Sequence, residues 1–263
     1  MKKIFLLAIL LNQLMVTMAQ ETEKPALTKK QKKEQRINTI IKQEEEGVLK
    51  YTRHWVGGFK LTNDGYGGFI EMGRARSVNK SLLFQLEITE RKHVKEEKLQ
   101  NDYSPTAPVI YGKINYFYPV KLGAQYQLLL GNKGNKNGVS VTSNFGGGLS
   151  LAMLRPYLVQ VDKGGDVYEY VGYNSPDSSY FLNGPIVGGP NLSKGWSGLK
   201  ITPGVYAKAG VRFDYGKYNE MVNAIEIGGT IEFYFKKIQQ MIEVKQYNYF
   251  VGAYVSVVFG KRK

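Results

Sequence analysis

Most of this 263-residue chain alternates between apolar and polar residues, and this pattern constrains the fold more than any other feature. In the stretch 224–235 the apolar face carries Ile225, Ile227, Ile231, Phe233 and Phe235. Residues 204–215 and 249–259 alternate in the same way. Successive side chains of a strand point to opposite faces, whereas a helix repeats every ~3.6 residues. These stretches are therefore predicted to be strands with one apolar and one polar face.

Five further stretches alternate less regularly, which gives a predicted total of eight strands. They lie at 54–62, 65–76, 82–89, 120–130 and 139–153. Asn63-Asp64-Gly65, between the first two, is a tight-turn signal. The connections near 77–80, 131–138 and 216–221 are short, and those at 91–116 and 162–200 are long. An even strand number with short turns on one side is typical of a membrane barrel whose N-terminus and C-terminus are periplasmic.

The predicted fold class is all-β: an eight-stranded closed antiparallel transmembrane β-barrel over residues 53–263, with a short N-terminal periplasmic helix. A soluble barrel that turns its apolar face inward is the alternative. Two observations favour the membrane barrel. The apolar faces hold almost no charge, and aromatic residues gather near strand ends, as they do at lipid interfaces.

The first 19 residues have the three parts of a secretory signal peptide. Lys2 and Lys3 precede the apolar run from Ile4 to Leu11, and a small-residue site ends at Ala19. The run is shorter than the ~20 apolar residues that a spanning helix requires. We therefore expect an exported protein of a Gram-negative cell.

Export changes the interpretation of the formal net charge of +14. Nucleic acid is excluded as a partner, and the anionic headgroups of outer-membrane lipid become the expected counter-charge. The chain has no cysteine, so neither a disulfide framework nor a thiolate metal site is available.

Residues 20–52 form a basic lead-in without alternation. Thr28 and Gln31 are spaced as a capping box, and Ile37, Ile40, Ile41 and Val48 form a narrow apolar stripe at helical spacing. Two interpretations remain open. The lead-in is either a solvated segment or a partly helical one in which residues 28–50 contact the membrane surface or a periplasmic partner.

Two stretches are similar to an uncharacterised bacteroidete family of small outer-membrane β-barrel proteins. They are RHWVGGFKLTNDGYG from Arg53 and YGKINYFYPVKLGAQYQLLLGNKGNKNGV from Tyr111. The resemblance implies a fold and a location and points to no catalytic residue. Pro119 does not suit a central strand, so we expect the fourth strand to begin at or after it.

The polar faces of the predicted strands carry charges of both signs. They are Lys60, Glu71, Glu87, Lys121, Lys208, Arg212, Asp214, Glu226 and Glu232. An eight-stranded barrel has room inside only for side chains, so we expect a compensated polar core. This expectation disfavours a pore. It also disfavours Glu226 and Glu232 as paired catalytic acids, since a filled lumen offers no cleft.

The long loops 91–116 and 162–200 are the candidate contact surfaces. Aromatic residues of the second loop stand among glycines and prolines: Tyr168, Tyr170, Tyr173, Tyr180, Phe181 and Trp196. The loop either recognises a partner or packs on itself to cap the barrel, and its apolar content slightly favours the cap.

The remaining motifs give little support to catalysis. The stretch 131–138 lacks the spacing of a phosphate loop. The two histidines, His54 and His93, have no ligand cluster at metal spacing, so we expect no metal or other cofactor. His93 follows the third strand at the expected outer rim, where an acyl hydrolase or transferase acting on membrane lipid would place a His with a Ser. No serine pairs with His93 by spacing, so this enzyme is the alternative to a structural or interaction role.

Overall fold

The computed structural model describes residues 52–99, 107–133, 138–165, 167–176, 178–216 and 221–263. The predicted signal peptide (1–19) and the predicted helix of the lead-in (28–50) lie outside the described residues.

The described residues form thirteen strands and one short helix. The strands are β1 (Arg53–Thr62), β2 (Gly65–Ser77), β3 (Lys80–Arg91), β4 (Lys98–Leu99), β5 (Val109–Ile110), β6 (Asn115–Gly131), β7 (Ser140–Pro156), β8 (Leu158–Asp162), β9 (Tyr168–Gly172), β10 (Ile186–Gly188), β11 (Lys200–Asp214), β12 (Met221–Ile238) and β13 (Tyr247–Arg262). The helix α1 spans Ser178–Asn183, and a single 3₁₀ turn spans Trp196–Gly198.

Eight strands close into an antiparallel barrel in the order β1-β13-β12-β11-β7-β6-β3-β2. Barrel strands that follow one another along the chain are neighbours, and β13 pairs with β1 to close the sheet. The predicted barrel is therefore confirmed, and each predicted strand overlaps an observed one. Closure pairs the backbone groups of every barrel strand, which a chain crossing lipid requires.

The expectation that the fourth strand begins at or after Pro119 is wrong. β6 begins at Asn115, and Pro119 lies inside it opposite Ala152 of β7. On the other side, β3 pairs with β6 at Ile88 opposite Val120 and again at Arg91 opposite Phe117. Pro119 falls in the gap between these pairs, so a residue without a backbone N–H stands where the β3–β6 pairing is interrupted.

The outer surface of the barrel is apolar and its interior is polar. Ile227, Ile231 and Val251 point outward and are exposed, whereas Glu226 and Thr230 point inward and are buried. A soluble barrel would show the reverse arrangement. An apolar exterior around a polar interior is the arrangement of barrels that cross a membrane.

The two ends of the barrel differ in their connections. At the end that we call the short-turn end, residues 78–79, 132–139 and 215–220 join consecutive strands, and β1 begins and β13 ends there. At the opposite end, the long-connection end, residues 92–114 and 157–199 join consecutive strands. The two-residue turn Asn63-Asp64 and the connection 239–246 also lie at this end. None of the helices among the described residues is long and apolar enough to span a membrane.

The interior contains two apolar clusters with charged side chains between them. The cluster near the short-turn end consists of Val56, Phe69, Val222, Ala224 and Val258. The cluster near the long-connection end consists of Phe117, Ala152, Leu154, Tyr234 and Ile238. These clusters shield the charges between them from water at either end.

The lipid-facing assignment of β12 predicts the effect of a charge on that face. Ile227 is 51% exposed and lies between Val211 and Val255 of the neighbouring strands, whereas Thr230 is 4% exposed and points into the lumen. We expect Ile227→Arg to lower the free energy of unfolding in lipid vesicles by about 2–4 kcal/mol. Urea titration followed by the heat-dependent gel mobility of the barrel measures this loss. Thr230→Ser is the matched control with a small effect, and equal losses would show that the two faces have been exchanged.

Candidate functional site

The centre of the barrel interior is an ion network around Arg212. The guanidinium of Arg212 donates two hydrogen bonds to the carboxylate of Glu71, at 2.7 and 2.8 Å. Its Nε donates a third to Glu226 Oε2 at 2.7 Å. β11 and β2 lie opposite each other in the closed strand order, so the Arg212–Glu71 pair spans the lumen.

Glu226 is satisfied from several strands at once. Lys208 Nζ lies 2.9 Å from Glu226 Oε1, and the hydroxyl of Tyr254 donates to the same oxygen at 2.7 Å. Asn144 Nδ2 donates to Oε2 at 2.8 Å. Tyr254 fits because Gly210 and Gly228 have no side chain: a Cβ at either position would lie 2.5 or 2.6 Å from the Tyr254 oxygen.

A second chain of ion pairs runs towards the long-connection end. Glu87 is shared by Lys60 and Lys121, with Lys121 Nζ 3.0 Å from Glu87 Oε1. Lys121 also lies 2.6 Å from Glu232, which Arg91 approaches to 3.2 Å from the far side of the barrel. Arg91 Nε then donates to Asp64 in the β1–β2 turn at 2.6 Å.

All nine residues that the sequence suggested for the polar core are buried inside the barrel. Eight belong to the two networks above. Asp214 stands apart at the short-turn end, where it pairs with Arg262 and lies 3.5 Å from Lys133 Nζ. Arg91 was not among the predicted core residues, although the inward alternation of Gln85, Glu87 and Thr89 continues to it.

Large buried side chains fill much of the barrel interior in the part of the chain that the structure describes. Lys60, Glu71, Gln85, Glu87 and Gln125 are among the largest side chains that are fully buried in the described structure. They are contributed by the adjacent strands β1, β2, β3 and β6, and they meet Lys208, Arg212 and Glu232 from the other half of the barrel. This arrangement supports a structural role for the lumen charges, because each of them forms an ion pair with a charge of opposite sign.

The bidentate pair at the centre yields a prediction for stability. We expect Arg212→Met to lower the free energy of unfolding by about 3–5 kcal/mol, because Glu71 loses its bidentate cation partner inside the barrel. The double variant Arg212→Met with Glu71→Gln removes both charges and should recover a large part of the loss. Denaturant titrations of the two single variants and the double variant give the coupling. Lys200→Met, at an exposed position of the same strand, is the control. If the double variant has as low a free energy of unfolding as Arg212→Met alone, the pairing of Arg212 with Glu71 is contradicted.

The connection 157–199 folds into a small structure of its own at the long-connection end, which we call the cap. Its strands pair in the order β10-β8-β9, and α1 packs against β8 and β9. A buried cluster holds it together: Ile110, Tyr157, Val159, Val161, Val171 and Phe181. The backbone N–H of Ile110 donates to the Tyr157 hydroxyl at 2.8 Å, and burial raises the pKa of Tyr157 to about 12.

The aromatic residues suggested as outer-loop contacts occupy different environments. Tyr168, Tyr180 and Trp196 are exposed, and Tyr170 and Tyr173 are half-buried. Phe181 differs from the expectation: it is only 3% exposed and packs edge-on against Tyr173 inside the cap. The six residues therefore divide into a surface group and a packing group.

Arg155 fixes the last part of the connection against the barrel rim. Its side chain is 1% exposed, and its guanidinium lies 4.2 Å from the ring of Tyr116 and 5.0 Å from the ring of Trp196. Its Nη1 donates to the carbonyl of Leu192 at 2.7 Å. Cation–π contacts of this kind stabilise more when the cation is removed from water.

A groove of about 550 Å³ opens beside the cap. Its lining comes from three connections and mixes apolar with charged side chains: Lys95, Glu97, Leu99, Tyr111, Leu182, Ile242 and Val244 among others. One wall lies close to the buried pair of Lys113 and Glu96, whose side chains approach to 2.6 Å. Burial lowers the pKa of Lys113, and the Glu96 carboxylate opposes that change.

His93 lies at the long-connection end, where backbone contacts hold both its ring and its main chain. Its Nδ1 accepts a hydrogen bond from the backbone N–H of Lys95 at 3.2 Å, so this nitrogen cannot donate to an orienting carboxylate. Its own backbone N–H donates to Glu96 at 2.9 Å. Burial lowers the pKa of His93. Within the described ranges, no group of three or more potential metal ligands is assembled.

The cluster inside the cap yields a second prediction for this end. Phe181→Ala should destabilise the cap by about 3–5 kcal/mol, because it opens a cavity among buried side chains. We expect faster protease cleavage within residues 158–199, with the heat-dependent mobility of the barrel unchanged. Tyr180→Ala, the exposed neighbour on α1, is the matched control with little effect. Loss of the folded barrel in Phe181→Ala would show that the cap and the barrel fold as one unit.

The closed antiparallel array, the apolar exterior and the filled, charge-compensated interior define the class: an eight-stranded membrane β-barrel protein of the outer-membrane type.

Solved barrels of this type are similar to the chain at low identity. The N-terminal β-barrel domain of Pseudomonas aeruginosa OprF is 12% identical, with 80% of this chain and 98% of that chain covered and a TM-score of 0.33. Ail, the attachment invasion locus protein of Yersinia pestis, is 9% identical, with 81% and 99% covered and a TM-score of 0.37. Neisserial surface protein A is 11% identical, with 81% and 96% covered and a TM-score of 0.36.

At these identities and TM-scores the likenesses carry no argument, and the class rests on the strand register and the facing of the side chains. No protein family and no curated relative match the sequence. The resemblance to a bacteroidete family therefore stays a prediction.

Proposed function

We propose that the protein has a structural or interaction role in the outer membrane and that the cap faces the outside of the cell. In this orientation the short-turn end and both ends of the barrel domain face the periplasm. One observation carries the proposal: the chain builds a folded cap with an exposed aromatic surface over a lumen that its own side chains fill. A barrel of this kind offers its surroundings a surface instead of a passage.

The exposed side of the cap supports a contact role. Tyr168, Tyr180 and Trp196 are large, partly apolar side chains held on folded elements, and such residues are frequent anchors in protein interfaces. The nearby groove adds a concave surface lined by both apolar and charged groups. Positioned aromatic anchors lose little conformational entropy when a partner binds.

Two features support a role other than catalysis. The inward carboxylates, including Glu226 and Glu232, are buried against cations where no substrate reaches them. The His93 ring is held by a backbone donor at the nitrogen that a catalytic carboxylate would need. A lipid acyl hydrolase or transferase that uses His93 is therefore the weaker hypothesis. We further propose that residues 28–50 bind a periplasmic partner, which is supported by their basic character and their position before β1.

Single cysteine variants test the orientation, because the natural chain has no cysteine. Lys194→Cys lies in the exposed part of the connection 157–199, and Asn79→Cys lies in the exposed β2–β3 turn. We expect a membrane-impermeant maleimide to label Lys194→Cys on intact cells and to label Asn79→Cys only after the outer membrane is permeabilised. Ile227→Cys, at a lipid-facing position, is the control that stays unlabelled in both conditions.

The reverse labelling pattern would overturn the proposed orientation. Full labelling of Ile227→Cys would contradict the membrane location itself. A benzophenone maleimide attached at Tyr180→Cys then separates the two roles. A cross-linked adduct that is absent with Asn79→Cys selects the interaction role, and its absence selects the structural role.

A further inference from the structure

A row of basic side chains lies on the outward face of the barrel at the short-turn end. Arg53 of β1 and Lys263 exchange two backbone hydrogen bonds of 2.8 Å, so these residues lie directly opposite each other. On the other side of β1, Arg53 lies opposite Arg74 of β2. Residues that are directly opposite in neighbouring strands share a face. Lys263, Arg53 and Arg74 therefore lie side by side on the outward face.

Further cations extend this row on the same face. Arg76 and Lys80 stand at the β2–β3 turn, and Lys261 lies opposite Trp55. In β2 and β13 the outward positions alternate with buried ones, and Arg74, Arg76 and Lys261 continue the outward set. The basic row consists of Arg53, Arg74, Arg76, Lys80, Lys261 and Lys263, and all six are exposed.

The basic row lacks a counter-charge within the part of the chain that the structure describes. Like charges placed directly opposite each other in a sheet destabilise it. At the short-turn end the one described acidic residue is Asp214, which is buried and pairs with Arg262. The cations of the lumen, by contrast, meet carboxylates at close range. Among the described residues, no carboxylate side chain pairs with the row, which leaves its cations open to an anion from the surroundings.

The level of the basic row in the membrane indicates which anion this is. Trp55 and Met72 lie opposite each other two residues further into the barrel wall, and both are exposed on the outward face. Beyond them the lipid-facing surface is apolar through Phe59 and Ile70. Interfacial tryptophans lie at the depth of the lipid headgroups. Cations just outside that level lie where lipid phosphates are found.

We propose that the basic row binds the headgroups of anionic phospholipids in the leaflet at the short-turn end. The guanidinium groups of Arg53 and Arg74 suit this role, because a planar guanidinium can hold two oxygens of one phosphate. The inference rests on the proposed membrane function and deepens it by naming a lipid class and the residues that select it.

The tryptophan content of the chain allows a direct test. The sequence has two tryptophans, so Trp196→Phe leaves Trp55, next to the basic row, as the sole fluorophore of this type. This variant is reconstituted into phosphatidylcholine vesicles that contain either brominated phosphatidylcholine or brominated phosphatidylglycerol. Quenching of Trp55 at a series of lipid ratios gives the relative binding constant of the two lipids. We expect phosphatidylglycerol to be favoured by about fivefold or more.

Charge variants assign the preference to particular residues. In the same background, Arg53→Gln with Arg74→Gln should bring the ratio close to one, with the heat-dependent mobility of the barrel confirming that it is folded. Lys236→Gln with Lys237→Gln removes two exposed cations from the opposite end of β12 and should leave the ratio unchanged. High salt should lower the preference, because exposed charges are screened. Inorganic phosphate at the same ionic strength as a chloride control should not lower it further.

Each opposite result overturns the inference in a distinct way. Equal quenching by the two lipids means that the row selects no headgroup, while the membrane barrel still stands. A preference that persists in the double glutamine variant means that other residues cause it. A preference abolished specifically by inorganic phosphate means that the row takes free phosphate and not lipid. Quenching by neither lipid contradicts the proposed membrane function itself.

Discussion

The pairing of Arg212 with Glu71 across the lumen is the interaction on which the rest of the barrel depends. A charge that leaves water is tolerated only where an opposite charge and further hydrogen bonds replace its hydration. Arg212 meets this condition with two carboxylates, Glu71 from β2 across the lumen and Glu226 from the neighbouring strand β12. A shift of one residue in either strand would turn one partner towards lipid. The ion pair therefore fixes the strand register as well as filling space.

The filled lumen determines where function can lie. Because side chains from opposite walls meet across the described interior, the surfaces that the protein offers its surroundings lie at the two ends and on the lipid-facing wall. The two ends have different chemistry. The long-connection end carries a folded cap whose cluster around Tyr157 and Phe181 is separate from the apolar clusters of the lumen. The short-turn end carries the short connections and the outward basic row.

The alternation of the sequence predicted the strands because a membrane barrel imposes it on every strand. Each residue faces either lipid or lumen, so Ile227 and Glu226 could be assigned to faces without a structure. The same rule nominated the charges of the polar core. It could not say which charges meet, because the partners of Arg212 lie on β2 and β12 and depend on barrel closure and register.

The alternation rule could not predict the fold of the cap. Its strands β8, β9 and β10 span three to five residues, which is too short to establish a period. Phe181 was therefore grouped by composition with its exposed neighbours, although it is buried in the cap. The basic row shows the same limit: the formal net charge of +14 pointed to an anionic partner, but Arg53, Arg74 and Lys263 are widely separated in the sequence. Closure of the barrel aligns them on adjacent strands. Because charges inside the lumen largely compensate one another, the excess positive charge lies outside it, and an anionic lipid surface is within its reach.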